Sequence, residues 1–183
     1  MIKITDYIKL YDNILSEEDC EDIIKSVKDG DFKNSHVNGD VTGKKLIVDK
    51  TTRNCYVKDL DLQYDGIVFK GVEKAISNYQ IDFPHFYIGA NANDTGYEHL
   101  LYKGSEKGTY TTHTDSFDSA PRLISISILL NDNFDGGNFC FFDEHILEKK
   151  IGSAVVFPSN FCFPHSVLPV SNGDRHAIIT WLR

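Results

Sequence analysis

Residues 175–182 read Arg-His-Ala-Ile-Ile-Thr-Trp-Leu and are the last of eight short apolar runs in the C-terminal half of the chain. Ile, Val, Phe, Tyr and Thr are frequent in these runs, and turn signals such as Asp135-Gly136-Gly137 separate them. This pattern is typical of short β-strands joined by turns. The predicted strands are residues 84–90, 97–103, 109–114, 123–130, 138–142, 154–157, 163–169 and 175–182.

Two helices are predicted before the strands. Ser16 is a good N-cap, acidic residues fill the following turn, and apolar residues continue at helical spacing, which predicts a helix over residues 16–29. A second apolar periodicity predicts a helix over residues 61–77. Between them, the polar, glycine-dotted residues 31–58 are predicted to form short strands joined by a mobile loop. Helices followed by about eight strands predict an α+β fold in which either a sandwich or a double-stranded β-helix (jelly-roll) barrel packs against the helices.

Length and composition favour one domain, residues 1–183, in which residues 1–83 support a core formed by residues 84–183. The net charge of -8 disfavours nucleic acid as a partner. We find no signal peptide and no apolar run of about 18 residues, so the chain is expected to be soluble and cytoplasmic, without a membrane partner. Four cysteines without a C-x-x-C pair are expected to be free thiols. The oligomeric state does not follow from the sequence.

His113-Thr114-Asp115 is the first candidate for chemistry, because residues two apart in a strand project from the same face. The motif alone is uninformative, since about one His-x-Asp is expected by chance in such a chain. His165 lies 50 residues beyond Asp115 in another predicted strand, and Arg175 follows ten residues later. Two imidazoles and one carboxylate form the facial triad that suits non-haem Fe(II) and leaves three positions open.

A bidentate 2-oxo acid on those open positions needs its far carboxylate neutralised, and Arg175 offers a planar fork for that purpose. In the closing strand Arg175, Ala177, Ile179 and Trp181 share one face. His176 is on the other face and is predicted to point away from the metal.

Residues 97–183 resemble the prolyl 4-hydroxylase branch of the 2-oxoglutarate oxygenases. The motifs that carry the resemblance are Tyr102-Lys103-Gly104 with Tyr110 before His113, Leu130-Asn131, Gly136-Gly137-Asn138-Phe139, the run 151–157, His165-Ser166-Val167-Leu168-Pro169-Val170, Gly173-Asp174-Arg175 and Trp181. A looser likeness upstream covers residues 15–20 and Thr51-Thr52-Arg53-Asn54, where the family has Arg-Thr-Ser or a similar sequence.

The resemblance implies an Fe(II)- and 2-oxoglutarate-dependent dioxygenase that uses O₂, with ascorbate as reductant. His113, Asp115 and His165 are then the metal ligands, and Tyr102 and Arg175 hold 2-oxoglutarate. Arg53, Tyr110 and Trp181 are the candidate substrate contacts. The implied substrate is a peptidyl proline, over which residues 31–58 and 91–96 are expected to close.

Three alternatives remain. The same oxidation on a small molecule such as a free amino acid is one, a non-catalytic jelly-roll binding module is another, and nucleic-acid demethylation is disfavoured by the net charge. Asp143 and His145 are predicted to lie in a solvated loop, and Gly136-Gly137 to form a tight turn. His36, His85 and His99 have no partner at ligand spacing and are expected to be structural or exposed.

Overall fold

The computed structural model describes residues 2–39, 45–85, 93–117 and 121–183. The helices are α1 Glu17–Lys25 and α2 Leu62–Asp82, with short 3₁₀ turns at Ile4–Tyr7, Asp29–Asp31 and Gly104–Glu106. The strands are β1 Lys9–Tyr11, β2 Lys33–Asn34, β3 Val37–Asn38, β4 Leu46–Ile47, β5 Arg53–Asn54, β6 Tyr56–Asp59, β7 Glu98–Lys103, β8 Thr109–His113, β9 Ile124–Leu129, β10 Asp135–Gly136, β11 Phe139–Phe141, β12 His145–Ile146, β13 Ala154–Pro158, β14 His165–Val167, β15 Val170–Ser171 and β16 Asp174–Leu182.

The larger of the two main sheets is antiparallel and has the order β1-β13-β9-β16-β7-β6-β2. Its outer face packs against both helices, because alternate residues of β9 such as Ile126 and Ile128 meet Ile23 of α1 and Val72 of α2 in one buried cluster. We call this the major sheet. The opposite residues of β9, Ser125 and Ser127, therefore face inward.

The smaller main sheet has the order β12-β11-β14-β8-β5 and faces the inner side of the major sheet. A second apolar cluster fills the space between the two, joining Tyr102 and Ile179 of the major sheet to Val167 and Phe139 of this minor sheet. Two antiparallel sheets packed face to face, with helices on one outer side, are the predicted α+β jelly roll, which is thereby confirmed.

The helices differ from the sequence prediction at their C-terminal ends. The Ser16 hydroxyl accepts a hydrogen bond from the Asp19 N–H at 3.1 Å, so α1 begins where predicted. It ends at Lys25 rather than at residue 29, because the Ser26 hydroxyl donates to the Ile23 carbonyl at 2.8 Å. Helix α2 continues to Asp82 rather than ending at residue 77, since Tyr79 extends its buried face.

Seven of the eight predicted strands are confirmed with small shifts at their ends. The eighth, residues 84–90, falls mainly on residues 86–90, which lie outside the described residues, as do residues 91–92 of the predicted closing loop. The segment 31–58 contains five of the short strands, and β2 and β6 extend the major sheet while β5 extends the minor sheet. The N-terminal region thus contributes strands as well as helices.

The four cysteines are free thiols, as predicted, and three of them are buried. Helix α2 is 21 residues long but carries several charged residues. Within the described parts of the chain, no helix combines the length and the apolar character needed to cross a membrane.

Candidate metal centre

His113 and His165 face each other across the central pair of strands in the minor sheet. β8 and β14 run antiparallel, and their register places His113 opposite His165. Asp115 follows β8 by two residues and is buried, with 6% of its surface exposed. The strand pairing therefore brings together three side chains that the sequence separates by up to 52 residues.

The ligand atoms of these three residues converge on one point. The Nε2 atom of His113 lies 3.5 Å from one Asp115 carboxylate oxygen, and the Nε2 atom of His165 lies 3.6 Å from the other. All three potential ligand atoms lie within 4.8 Å of one another. Such spacing fits a single ion bound at about 2 Å from each ligand atom.

Both imidazoles have a fixed tautomer. The Nδ1 atom of His113 is 2.8 Å from the Thr111 carbonyl oxygen, and the Nδ1 atom of His165 is 3.1 Å from the Phe163 carbonyl oxygen. A carbonyl only accepts hydrogen bonds, so each Nδ1 carries the proton and each Nε2 keeps a free lone pair. The two lone pairs are thus available to a metal.

The protonation states of the buried ligands also favour metal binding. Burial lowers the pKa of His165 to about 4, so this imidazole is neutral near pH 7. Burial alone would raise the pKa of Asp115, but the neighbouring His165 and His113 and the Ser125 hydroxyl lower it more, and the net direction is downward. The centre therefore offers an anionic carboxylate at Asp115 and a neutral imidazole at His165.

A hydroxyl pair on the major sheet supports the Asp115 carboxylate. The Ser125 hydroxyl donates to it at 2.6 Å, and because that proton is used, the Ser159 hydroxyl donates to Ser125 at 2.8 Å. Ser125 and Ser159 were not identified from the sequence. The only sequence signal was the serine alternation in Ser125-Ile126-Ser127, which marks a polar face of a strand.

The metal centre opens into a cavity of about 440 Å³ between the two sheets. This volume lies within the usual range of about 300–1,000 Å³ for sites that bind small ligands. All the predicted site residues line it, namely His113, Asp115, His165, Arg175, Tyr102, Arg53, Tyr110 and Trp181. His36 also lines the cavity, although its side chain is exposed.

Arg175 is a buried cation in the cavity wall. Its side chain is 3% exposed, and neither a hydrogen bond nor an ion pair links it to any of the described residues. Its guanidinium carbon lies 5.1 Å from the centroid of the Tyr102 ring, its cross-strand partner. A buried guanidinium without a counter-charge is costly, so this position calls for an anion.

Two neighbours of Arg175 shape this anion site. Burial raises the pKa of Tyr102, so its hydroxyl stays protonated and can donate a hydrogen bond near neutral pH. Gly137 has a φ of 65°, and a Cβ atom at this position would lie 3.2 Å from Arg175 Cδ and 2.6 Å from a Phe134 ring atom. The predicted turn at Gly136-Gly137 therefore also makes room for the Arg175 side chain.

The predicted substrate contacts lie beside the metal ligands. Tyr110 stacks on His113 with ring centroids 3.5 Å apart, and the Arg53 guanidinium carbon lies 4.8 Å above Tyr110. Trp181 lies under Arg122, whose guanidinium carbon is 3.5 Å from the indole centroid. Arg122 was missed by the sequence analysis, because no spacing rule joins it to the ligand motif.

Except for His36, the residues set aside from the sequence do not line the metal cavity. His176 points to the outer face of the major sheet, as predicted, and its Nδ1 atom is 3.0 Å from the Nε2 atom of the buried His99. His85 is exposed. The Asp143 carboxylate accepts a hydrogen bond from the Thr112 hydroxyl at 2.7 Å and is exposed at the surface, in line with a solvated position.

The sequence model of the 2OG-Fe(II) oxygenase superfamily matches residues 98–183. A PKHD-type hydroxylase of Psychrobacter sp. (strain PRwf-1) is 32% identical over 77 residues, which cover 39% of this chain and 29% of that protein. The chain thus spans less than a third of the length of this curated relative.

Two solved structures share the fold over nearly the whole chain. The viral collagen prolyl hydroxylase of Paramecium Bursaria Chlorella virus-1, solved as a 2OG complex, has a TM-score of 0.70 at 20% identity, covering 97% of this chain and 96% of that one. A Trichoplax adhaerens prolyl hydroxylase in complex with a hypoxia inducible factor peptide has a TM-score of 0.72 at 17% identity, covering 97% and 84%.

Proposed function

We propose that the chain is an Fe(II)- and 2-oxoglutarate-dependent dioxygenase that hydroxylates a substrate C–H bond, on the premise that residues 98–183 match the sequence model of the 2OG-Fe(II) oxygenase superfamily. The observation that carries the proposal is the convergence of two imidazole lone pairs and one carboxylate within 4.8 Å at the edge of a cavity. Nitrogen and oxygen donors in this set suit non-haem Fe(II), which needs vacant positions for a co-substrate and O₂.

His113, Asp115 and His165 are the proposed iron ligands. The carbonyls of Thr111 and Phe163 hold the two imidazoles in the tautomer that presents Nε2, and the hydroxyl pair of Ser125 and Ser159 holds the carboxylate. The chain's contribution is thus a fixed ligand geometry.

Arg175 and Tyr102 are the proposed anchors for the far carboxylate of 2-oxoglutarate. The buried guanidinium lacks a counter-charge among the described residues, and the Tyr102 hydroxyl is a neutral donor beside it. A dicarboxylate that chelates the metal at one end would satisfy both groups at its other end. The superfamily's cofactor chemistry converts 2-oxoglutarate and O₂ to succinate and CO₂, with one oxygen atom going to succinate and the other to the substrate C–H bond.

The proposed substrate is a peptidyl proline. The match to the superfamily model and the likeness to hydroxylases named for prolyl and PKHD-type activity support this choice. Tyr110, Arg53 and Trp181 line the cavity next to the ligands and are proposed to contact the peptide. Closure of residues 31–58 and 91–96 over it belongs to the same proposal.

Two further statements complete the proposal. Residues 1–183 are proposed to act as one domain, because β1 and β6 complete the same sheet as the C-terminal strands. A reducing, cytoplasmic setting is proposed because it would keep the four free thiols and Fe(II) reduced.

The test is succinate formation from 2-oxoglutarate and O₂ by the purified protein with Fe(II), with and without proline-containing peptides. Ascorbate, the proposed reductant, is included in one arm and omitted from another. We expect peptide-stimulated turnover that stops when Fe(II) is chelated. Turnover stimulated by free amino acids but not by peptides would favour the small-molecule alternative, and the absence of turnover despite bound metal would favour a binding module.

A further inference from the structure

Arginines are concentrated in the wall of the metal cavity. The chain has four arginines, and three of them, Arg53, Arg122 and Arg175, line the cavity, whereas no described lysine does. Among the described residues, the carboxylates that line it are Asp115 and Glu98. This local excess of positive charge contrasts with the net charge of -8 of the whole chain.

The proposed cofactors leave this excess unchanged. Fe(II) brings two positive charges and 2-oxoglutarate two negative charges, so their contributions cancel. Counted over the described residues, three guanidinium groups then face two carboxylates, which leaves one uncompensated positive charge in the loaded cavity. A charge enclosed between two sheets has little water to screen it, so an anionic substrate would be favoured.

Two of the three arginines already have partners or a role. Arg175 is the proposed anchor for 2-oxoglutarate. Arg53 donates to the His36 carbonyl at 3.3 Å and to the Cys55 sulfur at 3.3 Å, and it lies over the Tyr110 ring. Among the described residues the Arg122 side chain makes one hydrogen bond, so it is the more available of the remaining two arginines for an anionic group of the substrate.

The Arg122 side chain is fixed in place with most of its donors unused. Its Nη1 atom donates to the Asp115 carbonyl at 3.1 Å, and its guanidinium carbon lies 3.5 Å from the Trp181 ring centroid. Its Nε atom has no hydrogen-bond partner in the part of the chain that the structure describes. A guanidinium held flat on an indole presents its edge as a preorganised fork for a carboxylate.

The neighbouring Trp181 points to the same conclusion. This residue is 8% exposed and lines the cavity, and its indole N–H has no hydrogen-bond partner within residues 2–39, 45–85, 93–117 and 121–183. The Arg122 guanidinium lies directly against this ring, with its carbon 3.5 Å from the indole centroid. Two unsatisfied donor groups thus meet in the same wall, next to the backbone of the ligand Asp115.

We propose that the substrate carries a carboxylate that binds to Arg122 on the Trp181 ring, so that an acid is oxidised in preference to its neutral amide. This inference rests on the proposed function and narrows its substrate class. The carboxylate belongs either to an acidic side chain of a peptide or to a free amino acid, and the position beside Asp115 places it close to the proposed iron.

The experiment compares matched acids and amides. One arm uses proline peptides with Glu or Gln next to the proline, and the other uses free amino acids and their amides. Affinity is measured by calorimetry under nitrogen, both with the metal-free protein and with the protein loaded with Fe(II) and 2-oxoglutarate. We expect the acid of at least one pair to bind about 10- to 100-fold more tightly, because charge-assisted hydrogen bonds have this strength.

Variants show which residue causes the preference for the acid over the amide. In Arg122→Gln we expect the acid-to-amide ratio to fall to about one, whereas a merely structural loss would weaken both members alike. Glu98→Gln is the matched control, since it removes a carboxylate from the same wall and should increase the ratio.

Equal affinity for the acid and the amide of every pair, including no measurable affinity for either, would overturn the inference. So would a ratio that Arg122→Gln leaves unchanged. Failure to bind Fe(II) and 2-oxoglutarate would instead contradict the proposed function, and the comparison in metal-free protein keeps the two results separate.

Discussion

Two pairs of histidines lie across neighbouring strands of this protein, and the two pairs differ in their position in the fold and in the hydrogen bonds of their ring nitrogens. His113 and His165 face the space between the sheets, whereas His99 and His176 lie on the outer face of the major sheet. In the first pair each Nδ1 atom is occupied by a backbone carbonyl and each Nε2 atom is free. In the second pair the Nε2 atom of His99 and the Nδ1 atom of His176 bind each other at 3.0 Å.

The two histidine pairs also differ in the acidic residues that surround them. Asp115 lies between the first two imidazoles, within 3.6 Å of each Nε2 atom. Asp61, an acid that acts electrostatically on His99, forms an ion pair with Lys58 at 2.8 Å. Proximity of two imidazoles is therefore insufficient for a metal site, and the direction of their lone pairs toward a shared acid decides it.

Removal of a ligand should produce the largest effect and tests the comparison directly. We expect Asp115→Ala to weaken Fe(II) binding by more than about 100-fold, because even changes outside the ligand shell cost about 10- to 100-fold in metal affinity. Calorimetry under nitrogen measures this. The matched control, His176→Asn, breaks the other pair and should leave Fe(II) affinity within about twofold. A comparable loss in both variants would show that the second pair also supports metal binding.

Arg175 and His176 are neighbours on β16 whose side chains point to opposite faces of the sheet. Substitutions at these two positions therefore test the two faces separately. We expect Arg175→Ala to raise the KM for 2-oxoglutarate by about 10- to 100-fold, because a charge-assisted pair is lost. Fe(II) affinity should change little. Steady-state kinetics on Arg175→Ala, Arg175→Lys and His176→Asn check this, with the lysine variant intermediate because it keeps the charge without the fork. An unaltered KM in Arg175→Ala would reject this anchor.

The buried second pair should make folding sensitive to acid, with a smaller effect. Burial lowers the pKa of His99 to about 3, with further lowering by His176 and Lys58 and an opposing effect of Asp61. The unfolded chain protonates this residue near pH 6.5, so between about pH 6.5 and 3 it binds more protons than the folded chain, and stability falls as the pH falls. At pH 5 the loss is about 2 kcal/mol.

Urea unfolding of metal-free protein at pH 7.5 and pH 5 measures this loss. Metal is removed beforehand because protonation of the His165 ligand in a similar pH range would release it during the experiment. The variant His99→Gln cannot take up the proton, so its free energy of unfolding should depend less on pH by about the same 2 kcal/mol. Identical pH dependence in the two proteins would show that His99 does not contribute.

The faces of the long strands followed from the sequence, but their neighbours did not. Alternation in β16 correctly placed Arg175 and Trp181 on the cavity side and His176 on the other. The contact of Ser125 with Asp115 depends on how β9 lies against the end of β8, and a period of two carries no information about that register. Arg122 was missed for the same reason.

Short strands and the ends of helices were the other features that the sequence did not predict. Strands of two residues such as β5 and β10 contain too few positions to show any alternation, although β5 carries Arg53 into the cavity. The end of α2 was foreseeable in part, because Tyr79 follows the buried Ala75 at the same four-residue spacing. The C-terminal end of α1 depends on the hydrogen bond from the Ser26 hydroxyl to the Ile23 carbonyl. This bond competes with the backbone hydrogen bonds of the helix.

The pairing of β8 with β14 has a consequence for the lifetime of the folded chain. These strands are joined at His113–His165 and Tyr110–Val167, with an irregular register between the two points. An ion bound by both histidines would link the two strands where their pairing is short. A ligand that binds only the folded state stabilises that state by mass action. Iron supply would then govern how much of the protein survives proteolysis in the cell, in addition to how fast it works.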